Sequence, residues 1–291
     1  MSLKIIVLAK QVPDTRNVGK DAMKADGTVN RAALPAIFNP EDLNALEQAL
    51  RLKDQFPGST VTLLTMGPPR AADIIREGLF RGADGGYLLT DRAFAGADTL
   101  ATSYALHKAI RKIGPFDLIV SGRQAIDGDT AQVGPQVAEK LNIPQITYAE
   151  EIQSIENGKI TVKRRLERGV EIVEGTLPVL LTVNGSAPAC RPRNAKLIQR
   201  YKYAQTASEK QANNNPSFPE SALNDSLLLN EWSVVDVDAD VRQCGLSGSP
   251  TKVKKIENVV FQAKESKTLD SSDEQIEALM VELTANHTIN G

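Results

Sequence analysis

From residue 3 to about residue 185, short β-rich runs alternate with amphipathic segments of helical length. Six runs read as strands: LKIIVLA (3–9), TVTLLTM (60–66), GYLLT (86–90), FDLIVSG (116–122), QITYAEEI (145–152) and VLLTVNG (179–185). Several are apolar at consecutive positions, as a strand is when both its faces are covered. Between them, NPEDLNALEQALRLKDQ, PPRAADIIREGLFRGA, ADTLATSYALHKAIRKI and the segment after Asp129 place apolar residues near helical spacing. Asn39 and Asp98 are candidate caps, and Gly82 and Gly114 candidate stops. The alternation predicts an α/β fold: a doubly wound, mostly parallel, Rossmann-like sheet covered by helices.

Two regions break the rhythm. IENGKITVKRRLERGVEIVEGTLP has turn signals at Asn157-Gly158 and Arg168-Gly169 and predicts an antiparallel hairpin insertion. After Arg191 the run RPRNAKLIQRYKY is basic throughout, and SEKQANNNPSFPESALNDS is poor in apolar residues and punctuated by proline, like a linker. Beyond it lie a predicted strand in WSVVDVD, a polar stretch GLSGSPTKVKK and a predicted helix from Ser272 to Ala285. We therefore expect a core over residues 1–205 and a linker with a C-terminal arm over 206–291. Such an arm buries little surface alone and needs its own core or another subunit to lie on.

Composition narrows the function classes. With 41% apolar and 24% charged residues the chain is globular, and a net charge of −2 supplies no basic field for nucleic acid. The apolar start MSLKIIVLAKQVPD is too short for a secretion signal or a membrane span, so a cytoplasmic protein without membrane insertion is expected. Cys190 and Cys244 have no ligand partners at metal spacing and read as reduced thiols. His107 and His287 fall in helix-like patterns, which argues against histidine-based acid–base chemistry.

No GxxxxGK[ST], GxGxxG, GxSxG or HExxH run is present. A doubly wound sheet nevertheless keeps its ligand crevice outside the carboxyl ends of its strands. There Ala9-Lys10-Gln11, Thr65-Met66-Gly67 and Gly122-Arg123-Gln124 should converge, with Asn39-Pro40 at a helix start. The stretch SGRQAIDGDTAQVGPQVAEKL, 121–141, looks like a strand end, a polar loop and a helix. Its acidity is the difficulty, since a carboxylate about 6 Å from a phosphate repels it by roughly 2–3 kcal/mol at an effective dielectric near 20. A helix N-terminus returns only about 0.3–2 kcal/mol. The loop binds a diphosphate only if Asp127 and Asp129 turn away while amides near Gly128 face the anion. A capping box of Asp129 with Gln132 would provide that escape, and Pro135 suggests a separate first turn with the regular helix beginning at Pro135. A plain capped helix without a ligand fits the spacing equally well.

The block GRQAIDGDTAQVG, with IIVLAKQVPD, NPEDLNALEQALRLK and GLSGSPTKVKKI in the same order along residues 3–256, resembles the beta subunit of electron-transfer flavoproteins. The resemblance implies an adenine-nucleotide-binding core and an arm embracing an alpha subunit. It also implies a nucleotide site at Ala9, Lys10, Asn39, Pro40, Glu41, Asp42 and Met66, and along the loop of Gly122, Arg123, Gln124, Ala125, Ile126, Asp127, Gly128, Asp129, Thr130, Ala131, Gln132 and Val133. In most such subunits the ligand is a structural AMP. In the electron-bifurcating branch it is a second FAD, which takes a hydride from NADH and sends electrons to a low-potential acceptor, ferredoxin or flavodoxin, and through the alpha-subunit FAD to an acyl-CoA dehydrogenase.

DGTVNRAALPAIFNPEDLNALEQAL, with Val29-Asn30-Arg31, resembles that branch. On this reading the flavin does the chemistry, the first-strand loop Lys10 to Asp14 borders its ring, and no side chain acts as acid, base or nucleophile. Lys10 and Arg123 are candidates for favouring reduced anionic flavin, or are simply phosphate partners or solvated. The hairpin and the basic segment after Arg191 are candidate partner surfaces, or a solvated face. Two alternatives stay open: a docking module with AMP as a structural plug, and a nucleotide-cleaving enzyme, for which the SGGxDS loop is missing.

Overall fold

The computed structural model describes residues 1–14, 35–212, 228–251, 266–286 and 288–289. Val29-Asn30-Arg31, His287 and most of the linker-like run lie outside the described residues. Strands β1 (Lys4–Leu8), β2 (Gln11–Pro13) and β3 (Ala36–Phe38) precede helix α1 (Pro40–Gln55). Then come β4 (Thr60–Met66), α2 (Ala72–Leu79), β5 (Gly85–Leu89), α3 (Thr99–Ile113), β6 (Leu118–Gly122) and α4 (Val133–Leu141). The chain continues through β7 (Gln145–Glu156), β8 (Lys159–Leu166), β9 (Gly169–Thr176), β10 (Val179–Val183), α5 (Ala195–Tyr201), β11 (Gln205–Thr206), α6 (Ala207–Ala212) and β12 (Leu228–Trp232).

These elements form one compact unit, Met1–Lys254. A second unit, Lys255–Gly291, carries helix α7 (Asp273–Ala285), with Ser272 at its N-cap and Ile276, Met280 and Val281 exposed. Among the described residues no helix is long and apolar enough to cross a membrane.

The sheet has ten strands in the order β11-β12-β5-β4-β1-β6-β10-β7-β8-β9. It is parallel from β11 to β7 and antiparallel from β7 to β9, where the turns at 157–158 and 167–168 make the expected hairpin insertion. The consecutive apolar residues of β1, β6 and β10 are explained by layers on both faces. On one face Ile5, Val7, Leu63 and Val120 pack with Leu46, Ala49 and Leu50 of α1. On the other, Ile6, Leu64, Ile119 and Leu180 pack with Ala105, Leu106 and Ile110 of α3 and Val137 and Ala138 of α4. Each fully buried Leu or Ile contributes roughly 1.5–3 kcal/mol.

The predicted caps divide. Asp98 caps α3 by accepting from the Ala101 amide, and Gly114, at φ 102°, ends it. Asn39 precedes α1 but makes no side-chain cap bond. The strand expected in WSVVDVD is displaced: β12 ends at Trp232, whose ring stacks on Tyr87, and Asp236 then accepts from Ser233 N and Oγ to form a turn. Val234 and Val237 are buried in the second core cluster from that turn, so their spacing imitated a strand.

Candidate functional site

The strand order reverses between β1 and β6. From β1 the chain steps outward through β4 and β5, whereas from β6 it steps the other way through β10. The helices that follow these two strands also lie on opposite faces, α1 in the first core cluster and α4 in the second. A crevice therefore opens at the carboxyl ends of β1 and β6, where such folds bind ligands. Leu8 and Ser121 are in register, which brings Ala9-Lys10 beside Gly122-Arg123. Met66 ends the neighbouring β4 and packs into the second core cluster.

The start of α1 ties the two strand ends together. The buried Asp42 carboxylate accepts from the amide of Lys10 at 2.8 Å and from that of Gly122 at 2.9 Å. Burial pushes this carboxyl up to about 7, against the opposing pull of those amides and of Asn39. Asn39, fully buried, donates from Nδ2 to Gln124 O at 2.9 Å and accepts from Ile126 N at 3.2 Å. Glu41 accepts from Gln124 N at 2.9 Å and pairs with the Arg123 guanidinium at 3.1 Å. Arg123 also lies over the Tyr148 ring. A Cβ on Gly122 would stand 2.4 Å from Asp42 Oδ1, so only glycine lets the carboxylate approach. The carboxylates of Glu41 and Asp42 thus serve chiefly to place the loop's main chain.

Beyond this lock the loop turns back at Ala125, whose carbonyl accepts from Gly128 N at 3.3 Å and Asp129 N at 2.9 Å. Asp129 and Ala131 then have left-handed backbone, φ 49° and 53°. Among the described residues the amides of Thr130, Ala131 and Gln132 donate to no main-chain or side-chain acceptor. Those of Val133 and Gly134 are donors of a helix's first turn, which has no carbonyl to offer them. Five amides in sequence therefore open at a helix N-terminus, the arrangement that favours an anion. A Cβ on Gly128 would meet nothing within 4 Å, so this side of the loop faces open space.

The acid groups that seemed to forbid an anion are engaged. Lys10 Nζ bridges both oxygens of Asp127, at 2.7 and 2.8 Å. Asp129 Oδ1 accepts from Gln124 Nε2 at 3.1 Å. The expected capping box is not formed: the left-handed residues 129 and 131 keep the helix from starting there, and Gln132 makes no side-chain cap bond. Nor does the helix wait for Pro135. It begins at Val133, which puts Pro135 in the first turn, where its missing N–H removes no helical bond.

Two further polar groups reach this turn without belonging to the predicted set. Ser121 Oγ is buried with no hydrogen-bond partner and lies 3.0 Å from where a Cβ on Gly134 would stand, beneath the first turn of α4. Thr99 Oγ1, at the start of α3, donates to Gln132 Oε1 at 2.8 Å. Ser121 could have been suspected as a polar residue ending an apolar strand, but Thr99 carries no local signal, because its contact joins two helices. Cys190 and Cys244 are free thiols, both raised by burial, Cys190 to about 11. His107 is half-buried with Nδ1 against Tyr104 O, and burial lowers its pKa. In the basic segment Arg191 pairs with Glu47 and Asp54, and Arg193 with Glu77, so neither is merely solvated.

A family profile described as the electron transfer flavoprotein domain matches residues 26–211, more than half of the chain. The electron transfer flavoprotein subunit beta of Megasphaera elsdenii is 46% identical over 265 residues, covering 87% of each chain. The caffeyl-CoA reductase-Etf complex subunit CarD of Acetobacterium woodii is 43% identical over 251 residues, covering 86% of each. The acryloyl-CoA reductase electron transfer subunit gamma of Anaerotignum propionicum is 53% identical over 182 residues, covering 62% of this chain and 67% of its own. With this likeness spread over the core and the crevice, the chain is a member of the electron transfer flavoprotein family, of the beta-subunit type.

Proposed function

We propose that the crevice between β1 and β6 holds the diphosphate of FAD, and that the chain works in an electron-bifurcating complex with an alpha subunit. The observation that carries this reading is the run of open amides from Thr130 to Gly134, with both neighbouring acids already engaged. The orphan hydroxyl of Ser121 under the same turn fits a site that supplies a further acceptor. The names of the relatives, one in a caffeyl-CoA reductase-Etf complex and one an acryloyl-CoA reductase electron transfer subunit, support a partner that reduces a CoA ester.

The chain's own residues bind and orient. The amides of 130–134 receive the negative charge, and Lys10 holds Asp127 neutral beside it. Asn39, Glu41 and Asp42 fix the loop so that its donors stand ready before the ligand arrives. Ala9 and the start of β2 border the path leading from the cradle toward the flavin ring. When bound, the flavin supplies acceptance of a hydride from NADH and delivery of its two electrons separately, to ferredoxin or flavodoxin and to the alpha-subunit FAD that serves an acyl-CoA dehydrogenase.

Nucleotide extraction from the purified heterodimer tests this directly. Two FAD per heterodimer is the expected result. One FAD with one AMP would retain the cradle and remove bifurcation, leaving a docking subunit.

A further inference from the structure

We infer that Thr99 is a positioning residue for the amide cradle, clamping the first turn of α4 from the neighbouring helix α3. The inference rests on the cradle being the nucleotide site. Helix α4 begins without a cap of its own, since Gln132 makes no side-chain bond to the helix. The three residues before it include two in left-handed backbone, Asp129 and Ala131, which L-residues other than asparagine, aspartate and glycine seldom adopt. A loop so arranged keeps its shape only if its surroundings hold it.

On the Gly122 side the hold comes from α1 through Asn39 and Glu41, but those bonds reach only as far as Ile126. At the far side it comes from Thr99. The Thr99 hydroxyl donates to Gln132 Oε1 at 2.8 Å and accepts from Gln136 Nε2 at 3.3 Å. It therefore grips the residue just before α4 and the residue one turn inside it, spanning the turn whose amides are open. Thr99 itself stands on a fixed point. Asp98 caps α3 by accepting from Ala101 N at 3.0 Å and is held in turn by Thr251, whose amide and hydroxyl donate to it at 3.1 and 2.6 Å. Thr99 touches no part of the predicted nucleotide loop other than Gln132, so it acts through the placement of donors.

The test uses the full-length complex, freed of its nucleotide and titrated with AMP and with FAD by calorimetry. Thr99→Val keeps the shape and removes both hydrogen bonds, and it should weaken both ligands five- to tenfold; Thr99→Ser should return affinity to within twofold of wild type. Gln132→Met removes the same bond from the exposed loop side. Its effect should match that of Thr99→Val, and the double variant should be no weaker than either single one, because one contact is lost in all three. Wild-type affinity in Thr99→Val, a failed rescue by serine, or additive losses in the double variant would each overturn the clamp while leaving the nucleotide site intact. If the wild-type complex binds neither AMP nor FAD, the proposed function falls and the clamp falls with it.

Discussion

Gly122→Ala strikes the lock that brings β1, β6 and α1 together. The added methyl would lie 2.4 Å from Asp42 Oδ1 and 2.8 Å from both Asp42 N and the Glu41 carbonyl carbon. Two of these three neighbours are backbone atoms of a helix start, so the strain cannot be relieved by rotating one side chain. The helix must move, and the bond from Gly122 N to Asp42 goes with it. Overpacking costs about 1–3 kcal/mol and a hydrogen bond to a charged acceptor about 1.5–3, together roughly 3–5 kcal/mol. For a unit of this size, 1 kcal/mol moves the melting temperature by about 2–4 °C, so a fall of roughly 6–20 °C is expected. Circular dichroism melts of wild type and variant, with and without added AMP, measure it. The nucleotide-dependent rise in melting temperature should shrink as well, because the displaced segment is the one that leads into the cradle. A variant that melts within 2 °C of wild type and gains as much from AMP would refute the claim that the Asp42–Gly122 contact fixes the loop.

The same carboxyl should impose a pH dependence. Burial raises Asp42 from its ordinary 3.8 to about 7, so the folded state keeps a proton that the unfolded chain releases from about pH 4 upward. Its contribution is therefore complete below about pH 4 and is lost as pH rises through about 7. Across pH 5 to 8 the loss amounts to about 2–3 kcal/mol, and urea unfolding at the two pH values should show it in wild type and not in Asp42→Asn. Chain truncation separates core from appendage: a protein ending at Tyr203 loses the buried residues Leu229, Val234, Val237 and Cys244. At roughly 1.5–3 kcal/mol each, that loss rivals the whole stability of a domain. The 1–203 protein should be recovered insoluble or without a cooperative melt, whereas 1–254, which keeps the compact unit, should melt within a few degrees of wild type; a folded 1–203 protein would contradict the core assignment.

What was legible in the sequence, and what was not, follows the range of the interactions involved. The sheet could be read because consecutive burial in β1, β6 and β10 is written in neighbouring residues, and the hairpin because Asn157-Gly158 acts locally. The crevice followed from general topology once the strands were in place. The roles of individual polar residues did not, because they depend on partners far away in the chain. Asp42 meets a backbone amide 80 residues on, and Lys10 meets Asp127 after 117. The acidic pair in IDGD looked like an obstacle to an anion for this reason: its nearest sequence neighbours supply no positive charge except Arg123, and Arg123 is paired with Glu41. Local pattern also misled at Asp129 and Gln132, whose spacing satisfies a capping box while the left-handed backbone between them rules one out.

These failures share a direction. Each carboxylate read as a helix cap or as a ligand contact is instead hydrogen-bonded within the protein, and the main chain is left open toward the crevice. A loop that meets an anion through amides alone can tolerate acids only where another side chain answers each of them. Lys10 and Gln124 give that answer for Asp127 and Asp129. The acidity of the block is therefore a feature of how the loop is braced, and it carries no charge argument against a nucleotide.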